Sequence, residues 1–367
     1  MAQLIELLRQ MGAAVFDNGY LVRLLAVCTP LLLAAMGLVI ARRSGVFFLA
    51  AEGVMTFSGM AAYFADALVC RVILAGAEQG SAEYEQLMAR GARVGWMVGL
   101  LVGMIAGMLL AMLFALFLLR FKTDELLAGV VFNIFALSVS GMCLHLFDRE
   151  DLLVSSAQVG ALPVLSIPSL AQVPVLGGLL GSTGWLTYFS LLVPPAVFYL
   201  LNCTDFGLRL RAAEENPAAL IGTGWSVQRT QLYGMLFAGG AVSLAGVAIA
   251  LMPPQPVYTL QPNGAGYLAF AAVWASGGGI LKSCVSVLLL GIVDACTDVW
   301  QGLSVPSGLI SALLYAAALA GLWLHAHNLK RRGKVRLQMQ QQIALGEEFP
   351  DRKKRWFRGG LRGKRKS

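Results

Sequence analysis

Apolar residues run in long blocks along this chain, and the polar residues gather between the blocks instead of alternating within them. A helix needs about 20 such residues to cross a bilayer, and an uninterrupted apolar run of that length reads as a membrane span and not as a strand or a surface helix. Eight blocks fit, at residues 21–40, 45–69, 95–119, 126–147, 185–201, 232–252, 281–299 and 307–324. A ninth, at 266–276, is short and runs into Gly277, Gly278 and Gly279, so it reads as a short or broken span. The pattern predicts an all-α fold: a polytopic integral membrane helical bundle of about nine transmembrane helices. Ahead of it, Leu4, Leu7, Leu8 and Met11 are helically spaced among Glu6, Arg9 and Asp17. That stretch suits an interfacial helix and lacks the basic start of a cleaved signal peptide. Residues 1–20 are thus an interfacial segment, 21–328 a transmembrane domain and 329–367 a basic tail.

Composition agrees with the pattern. Hydrophobic residues make up 57% of the 367 and charged residues 13%, where a soluble domain has about 45–50% and about 25%, which excludes an ordinary water-soluble enzyme. The net charge of +8 is a property of the tail, because residues 330–367 hold 14 basic and 3 acidic residues and the remainder carries a net −3. A nucleic-acid partner is therefore not expected, whereas a lipid surface is. Basic loops stay on the cytoplasmic side of a membrane. Nine spans with the tail inside also put Arg42, Arg43, Arg120, Lys122, Arg209, Arg211, Arg229 and Lys282 inside, leaving Arg9, Arg23, Arg71, Arg90, Arg93 and Arg149 outside. The expected arrangement has the N-terminus out and the C-terminus in, with a long outer loop over residues 148–183. Six cysteines show no metal-ligand or redox spacing and read as core residues.

Charge within a span is the informative exception, since an ionisable residue at mid-bilayer costs about 2.5–3.5 kcal/mol even on an insertion scale. Glu52, Thr56, Gly59, Tyr63 and Asp66 fall on nearly one face of the second span. Glu52 has two readings of equal weight: a wall of a translocation path, or a carboxyl that holds a neighbouring helix. Asn133 and Ser140 share a face of the fourth span and read either as path-lining or as packing contacts. Glycines at 91, 95, 99, 103 and 107 on the third span, and Gly239, Ser243 and Gly246 on the sixth, permit close helix approach, inside the bundle or at a subunit interface. Asp294 and Asp298 stand one turn apart without a third ligand, and His145, His325 and His327 lie at span ends, so neither a metal site nor a catalytic residue is expected. The stretch Ser276-Gly-Gly-Gly-Ile-Leu-Lys-Ser283 has Leu281 where a phosphate loop requires glycine. No nucleotide site or cofactor is expected.

The polar segment 202–231 carries a local helix signal. Asn216 is a good N-cap and Pro217 suits a first helical position, so a short helix over 217–221 should stop at Gly222. With Arg209 and Arg211 on an amphipathic approach, the result is a helical elbow between two spans, which reads as a tidy loop or as the grip of a soluble motor. The stretch Arg209-Leu-Arg-Ala-Ala-Glu-Glu-Asn-Pro-Ala-Ala-Leu-Ile-Gly-Thr-Gly224 resembles the signature loop of ABC-transporter permeases of the branched-chain amino-acid, ribose and nucleoside type. Three further stretches resemble that family in order: Thr29 to Gly37; Arg43-Ser-Gly-Val with Ala51-Glu-Gly-Val-Met55; and Gly266 to Trp274 followed by Gly291-Ile-Val-Asp-Ala295. The likeness is greatest to the simple-sugar and purine-nucleoside branch. It departs from the family at Phe47-Phe-Leu-Ala-Ala51, at Glu214 where a glycine is usual, and at the Gly277 triplet.

The resemblance implies a transmembrane permease subunit of an ATP-driven importer for nucleosides or simple sugars such as ribose, in a bacterial cell (inner) membrane. It also implies a second permease subunit, two cytoplasmic ABC ATPase subunits, where hydrolysis would occur, and an extracytoplasmic substrate-binding protein. By the same resemblance Arg211, Glu214, Glu215, Asn216, Pro217, Ala218 and Gly222 form the ATPase-coupling surface. Glu52, Thr56, Tyr63, Asn133 and Ser140 are the candidates for the translocation path. The alternatives are a branched-chain amino-acid permease of the same superfamily, and an ion-coupled secondary transporter using Glu52 or Asp66.

Overall fold

The computed structural model describes residues 18–74, 82–149, 162–166, 182–251, 264–300, 312, 314–323 and 327. Eleven helices are described: α1 (Asn18–Arg43), α2 (Ala51–Leu74), α3 (Ala82–Phe121), α4 (Glu125–Arg149), α5 (Trp185–Cys203), α6 (Asp205–Glu215), α7 (Pro217–Gly222), α8 (Val227–Leu251), α9 (Ala265–Ala275), α10 (Ile280–Trp300) and α11 (Leu314–Trp323). Where the structure describes them, the nine apolar blocks read from the sequence are mainly helical, although residues 45–50 of the second block form a turn ahead of its helix. Six of them, α1 to α5 and α8, contain stretches long and apolar enough to cross a membrane, while α9 and α11 are shorter apolar helices. Two three-residue strands, Val164–Ser166 and Ser182–Gly184, pair antiparallel within the long loop. Where that loop meets the bundle, the buried Leu162 donates its amide to the Leu251 carbonyl at the end of α8. The interfacial stretch and the tail fall almost wholly outside the described residues. Of the tail unit beginning at Trp323, only Trp323 and His327 are described, and their rings stack at 5.5 Å.

Burial follows from the sequence. From Cys28 to Ala41 α1 is almost wholly apolar and is buried on every side, with Leu33, Ala34, Ala35, Met36 and Val39 fully enclosed. α8, α10, α9 and α5 pack on α1, while α2 and α3 pack on each other and on α8, and α4 lies on α2. α3 is longer than the block that announced it. Its 40 residues would span about 60 Å at 1.5 Å per residue, because the polar run before Gly95 is built from helix formers and contains no stop.

The glycine stripe of α3 explains the tightest contact. A β-carbon at Gly99 would lie 2.7 Å from the Ala62 carbonyl oxygen, and one at Gly103 would lie 2.7 Å from Ser58 O, Ala62 Cβ and Val247 Cγ2. Gly107 lies against Ser243, and Gly246 against the Met55 carbonyl. Both small-residue stripes therefore face each other and α2 within one protomer, where absent side chains let three backbones close together. Ser58 adds a hydrogen bond to the Ser243 carbonyl at 3.1 Å.

Candidate functional site

The elbow consists of α6 and α7, joined at Asn216. Thr204 caps α6 by accepting from the Gly207 amide at 3.1 Å, and its hydroxyl donates back to the Leu200 carbonyl. Asn216 ends α6 by donating its amide to Ala212 O at 2.9 Å, and starts α7 by accepting from the Ala219 amide at 3.2 Å. Pro217, in the first turn, gives up no hydrogen bond there and presets φ. The helix ends at Gly222, as expected. The left-handed residue that turns the chain is Gly224, at φ +83°, while the chain leaves α7 through Thr223, whose hydroxyl donates to Leu220 O.

One side of the elbow is anchored. Gly207, Leu210, Ala213 and Leu220 are buried, and Gly207 sits so close to the Leu200 carbonyl that no side chain fits there. Glu214 pairs with Arg43 at 3.2 Å. Gly45, at φ +78°, brings the turn after α1 within 3.5 Å of where Ala213 and Glu214 pass, measured from its would-be β-carbon. The other side is open: Glu215, Asn216, Pro217, Ala218 and Gly222 are all exposed. Arg211 is half-buried, and its Nε has no hydrogen-bond partner among the described residues. A 330 Å³ groove between α6 and α7 is lined by Asp205, Leu208, Arg209, Leu220 and Trp225, with the Arg209 guanidinium 3.4 Å over the Trp225 ring.

The second constellation joins two helix starts. A helix that begins inside an apolar bundle leaves amide groups that no bulk water satisfies. Glu52, itself buried, reaches from the first turn of α2 to the start of α9, where Oε2 accepts from the Gly266 amide at 2.7 Å and Oε1 from the Gly264 amide at 3.1 Å. Asn133 of α4 does the same for α2. Its Oδ1 accepts from the Gly53 amide at 2.7 Å, and its Nδ2 donates to Leu49 O at 3.1 Å and to the Tyr267 hydroxyl at 3.0 Å. Glu125 accepts from the Phe47 amide at 3.1 Å. A negative group also complements the positive end of the helix dipole. The opposite end of α9 meets a cation: Arg42 donates to Val273 O at 3.5 Å and lies 4.4 Å from the Trp274 ring.

Of the path candidates, Glu52 and Asn133 thus belong to one hydrogen-bonded cluster. Thr56 lies one turn further along α2 and donates to the Glu52 carbonyl at 2.9 Å. Tyr63 is buried two turns beyond, with its ring 6.1 Å from Phe64. Ser140 is fully buried on α4, and its hydroxyl has no hydrogen-bond partner among the described residues. The polar face of α2 turns inward as a whole, since Glu52, Thr56, Gly59, Tyr63 and Asp66 are all buried. Sequence reasoning gave Arg42 and Arg43 no role beyond loop charge and a place in a family-like stretch, and gave Glu125 and Tyr267 no site role. The basic pair at a span end was visible, but its partners stand 171 and 231 residues away. Among the described residues, no three His, Cys, Asp or Glu side chains gather as a metal site would require.

Comparison with known proteins addresses the whole bundle. Residues 20–321 match the family described as branched-chain amino acid transport system / permease component. The nucleoside ABC transporter permease protein NupC of Lactococcus lactis subsp. cremoris (strain MG1363) is 26% identical over 267 residues, covering 72% of this chain and 77% of that protein. The guanosine ABC transporter permease protein NupQ of Bacillus subtilis (strain 168) is 28% identical over 260 residues, covering 68% of this chain and 72% of its own. No solved structure matches significantly. With the family spanning nearly every described helix, the chain belongs to the permease components of branched-chain amino acid type transport systems and is a multi-pass membrane protein.

Proposed function

We propose that this chain is a transmembrane permease subunit of an ATP-driven ABC importer that carries nucleosides, with simple sugars such as ribose as the second cargo class. The relatives named for nucleoside and guanosine transport support the cargo, and the elbow carries the mechanism. A loop that only had to connect α5 to α8 would need neither a cap at each helix nor a buried anchoring face. This one presents Glu215 to Ala218 and Gly222 outward from a base fixed at Gly207, Leu210, Ala213 and Leu220. Closure of a cytoplasmic ATPase pair on that surface would push the base as a rigid piece. The energy then derives from the different affinity of the ATPases for the two states, so the permease needs a coupling surface and no catalytic group.

On this reading the elbow and the basic tail face the cytoplasm and the N-terminus faces out. A second permease subunit completes the path, and an extracytoplasmic binding protein delivers cargo. The path runs beside the junction that Glu52 and Asn133 hold, continuing past Thr56 and Tyr63 on α2 and Ser140 on α4. The tail rests on anionic lipid, at roughly 1 kcal/mol per basic residue near the surface.

The test is uptake of labelled guanosine, and of ribose, into proteoliposomes holding the permease with its ATPase and binding-protein partners. Accumulation that requires ATP and the binding protein is expected. Uptake by this chain alone, driven by an ion gradient without ATP, would sink the reading and favour secondary transport.

A further inference from the structure

α9 differs from the other apolar helices in how it is held. It has 11 residues, about 16 Å of helix, against the roughly 30 Å of a bilayer core. Left-handed glycines bound it on both sides, Gly264 at φ +79° before it and Gly277 and Gly278 at φ +74° and +75° after it. Glycine at such angles bends the chain without a steric penalty, so α9 is a rigid rod between two points that can swivel. An anion grips its N-terminal end through Glu52, and a cation grips its C-terminal end through Arg42.

The cationic grip leads to the elbow. Neighbouring residues on a helix point about 100° apart, so Arg42 and Arg43 on the last turn of α1 reach different partners. Arg43 takes Glu214 of the elbow, and Arg42 takes Val273 and Trp274 of α9. Four residues on, Phe47 packs against Phe270 and Trp274 with ring centroids 4.9 Å apart in both cases. Between them Gly45 lies against the elbow backbone. Residues 42–47 therefore touch the elbow twice and α9 twice.

We propose that α9 is the element the elbow drives, with residues 42–47 as the link and Arg42 and Glu52 as the positioning residues that hold its two ends. The proposal rests on the elbow being the coupling surface and names what moves next. A push on Glu214 displaces the end of α1 and the turn after it, and α9 swivels on its glycines while Glu52 retains its first turn.

The experiment uses the full transporter in proteoliposomes and reads guanosine moved per ATP hydrolysed. Arg42→Gln is expected to lower that ratio about tenfold, and Arg42→Lys to restore it to within threefold of the parent. Equal ratios in the parent and a folded Arg42→Gln would overturn the proposal. A second measurement does not depend on that variant folding: Ser276→Cys, in an otherwise cysteine-free permease, places a thiol at the end of α9. Its labelling rate is expected to change at least threefold between the nucleotide-free and vanadate-trapped transporter, and Glu214→Ala is expected to abolish the change. A rate that is the same in both states overturns the proposal. If Glu214→Ala and elbow substitutions leave transport coupled, the elbow reading itself fails. If they uncouple transport while α9 labelling never responds, only the α9 link fails.

Discussion

Removing one acceptor from Glu52 tests whether the junction is held as described. In Glu52→Gln the side chain keeps its length, but only one of the two terminal atoms still accepts. One amide, at Gly264 at 3.1 Å or Gly266 at 2.7 Å, then faces an NH2 group. A buried donor left unpaired costs about 1–3 kcal/mol, and losing the negative charge at the helix start removes about 0.3–2 kcal/mol more. Part of this is offset because a neutral amide is easier to bury than a carboxylate. A net local loss of about 1–3 kcal/mol corresponds to roughly 5- to 150-fold more frequent opening of the first turn of α9. Hydrogen–deuterium exchange of a peptide covering residues 264–268 reads this directly in the purified transporter. Exchange there should accelerate within that range, and Glu52→Ala should exceed Glu52→Gln, while peptides from α1 and α8 stay unchanged. Identical exchange in Glu52→Gln and the parent would refute the capping argument, for it would mean that the carboxyl is not serving both amides.

Other expectations follow from the same contacts. Replacing Asn216 and Pro217 together with glycine removes a side-chain cap, about a few tenths of a kcal/mol against glycine, and a preset φ worth about 0.4–1 kcal/mol; uptake should fall while membrane insertion and ATP hydrolysis persist, as measured on reconstituted vesicles. Gly103→Leu drives a side chain into three atoms that a β-carbon would already meet at 2.7 Å. It should cost about 3 kcal/mol or more, seen as a lower thermal midpoint of the isolated permease; a normal midpoint with loss of only subunit association would restore the interface reading of that stripe. Asn133→Leu leaves the Gly53 amide and the Leu49 carbonyl unpaired, and exchange over residues 49–53 should rise at least tenfold. Gly207→Ala places a methyl against Leu200 and Leu201, which should lift α6 off α5 and lower uptake without affecting α1 to α4.

Much of the elbow was legible in advance because its signals are local. An Asn followed by Pro states where a helix begins, and the helix starts after Asn216 and ends at Gly222 as expected, with the left-handed turn following at Gly224. The polar face of α2 was legible for a similar reason: five residues at helical spacing share one side whatever packs there. What that face does was not legible. Glu52 admitted two readings because a carboxylate in a span must meet something, and the sequence holds no sign that its partners are amides more than 200 residues away. Ser140 is a milder case, buried as the shared face with Asn133 suggested, yet outside the cluster that Asn133 joins.

Sequence alone determined that this chain is a set of apolar helices with a capped polar elbow between two of them, since span length, helix caps and glycine spacing are properties of a dozen or so neighbouring residues. Tertiary structure decided which surfaces meet. It turned the two glycine stripes toward each other and α2, placed adjacent arginines on different partners, and suspended a short helix between an anion and a cation. Those outcomes depend on satisfying backbone groups and charges in an interior without bulk water, a requirement each residue carries but only the assembled bundle can meet.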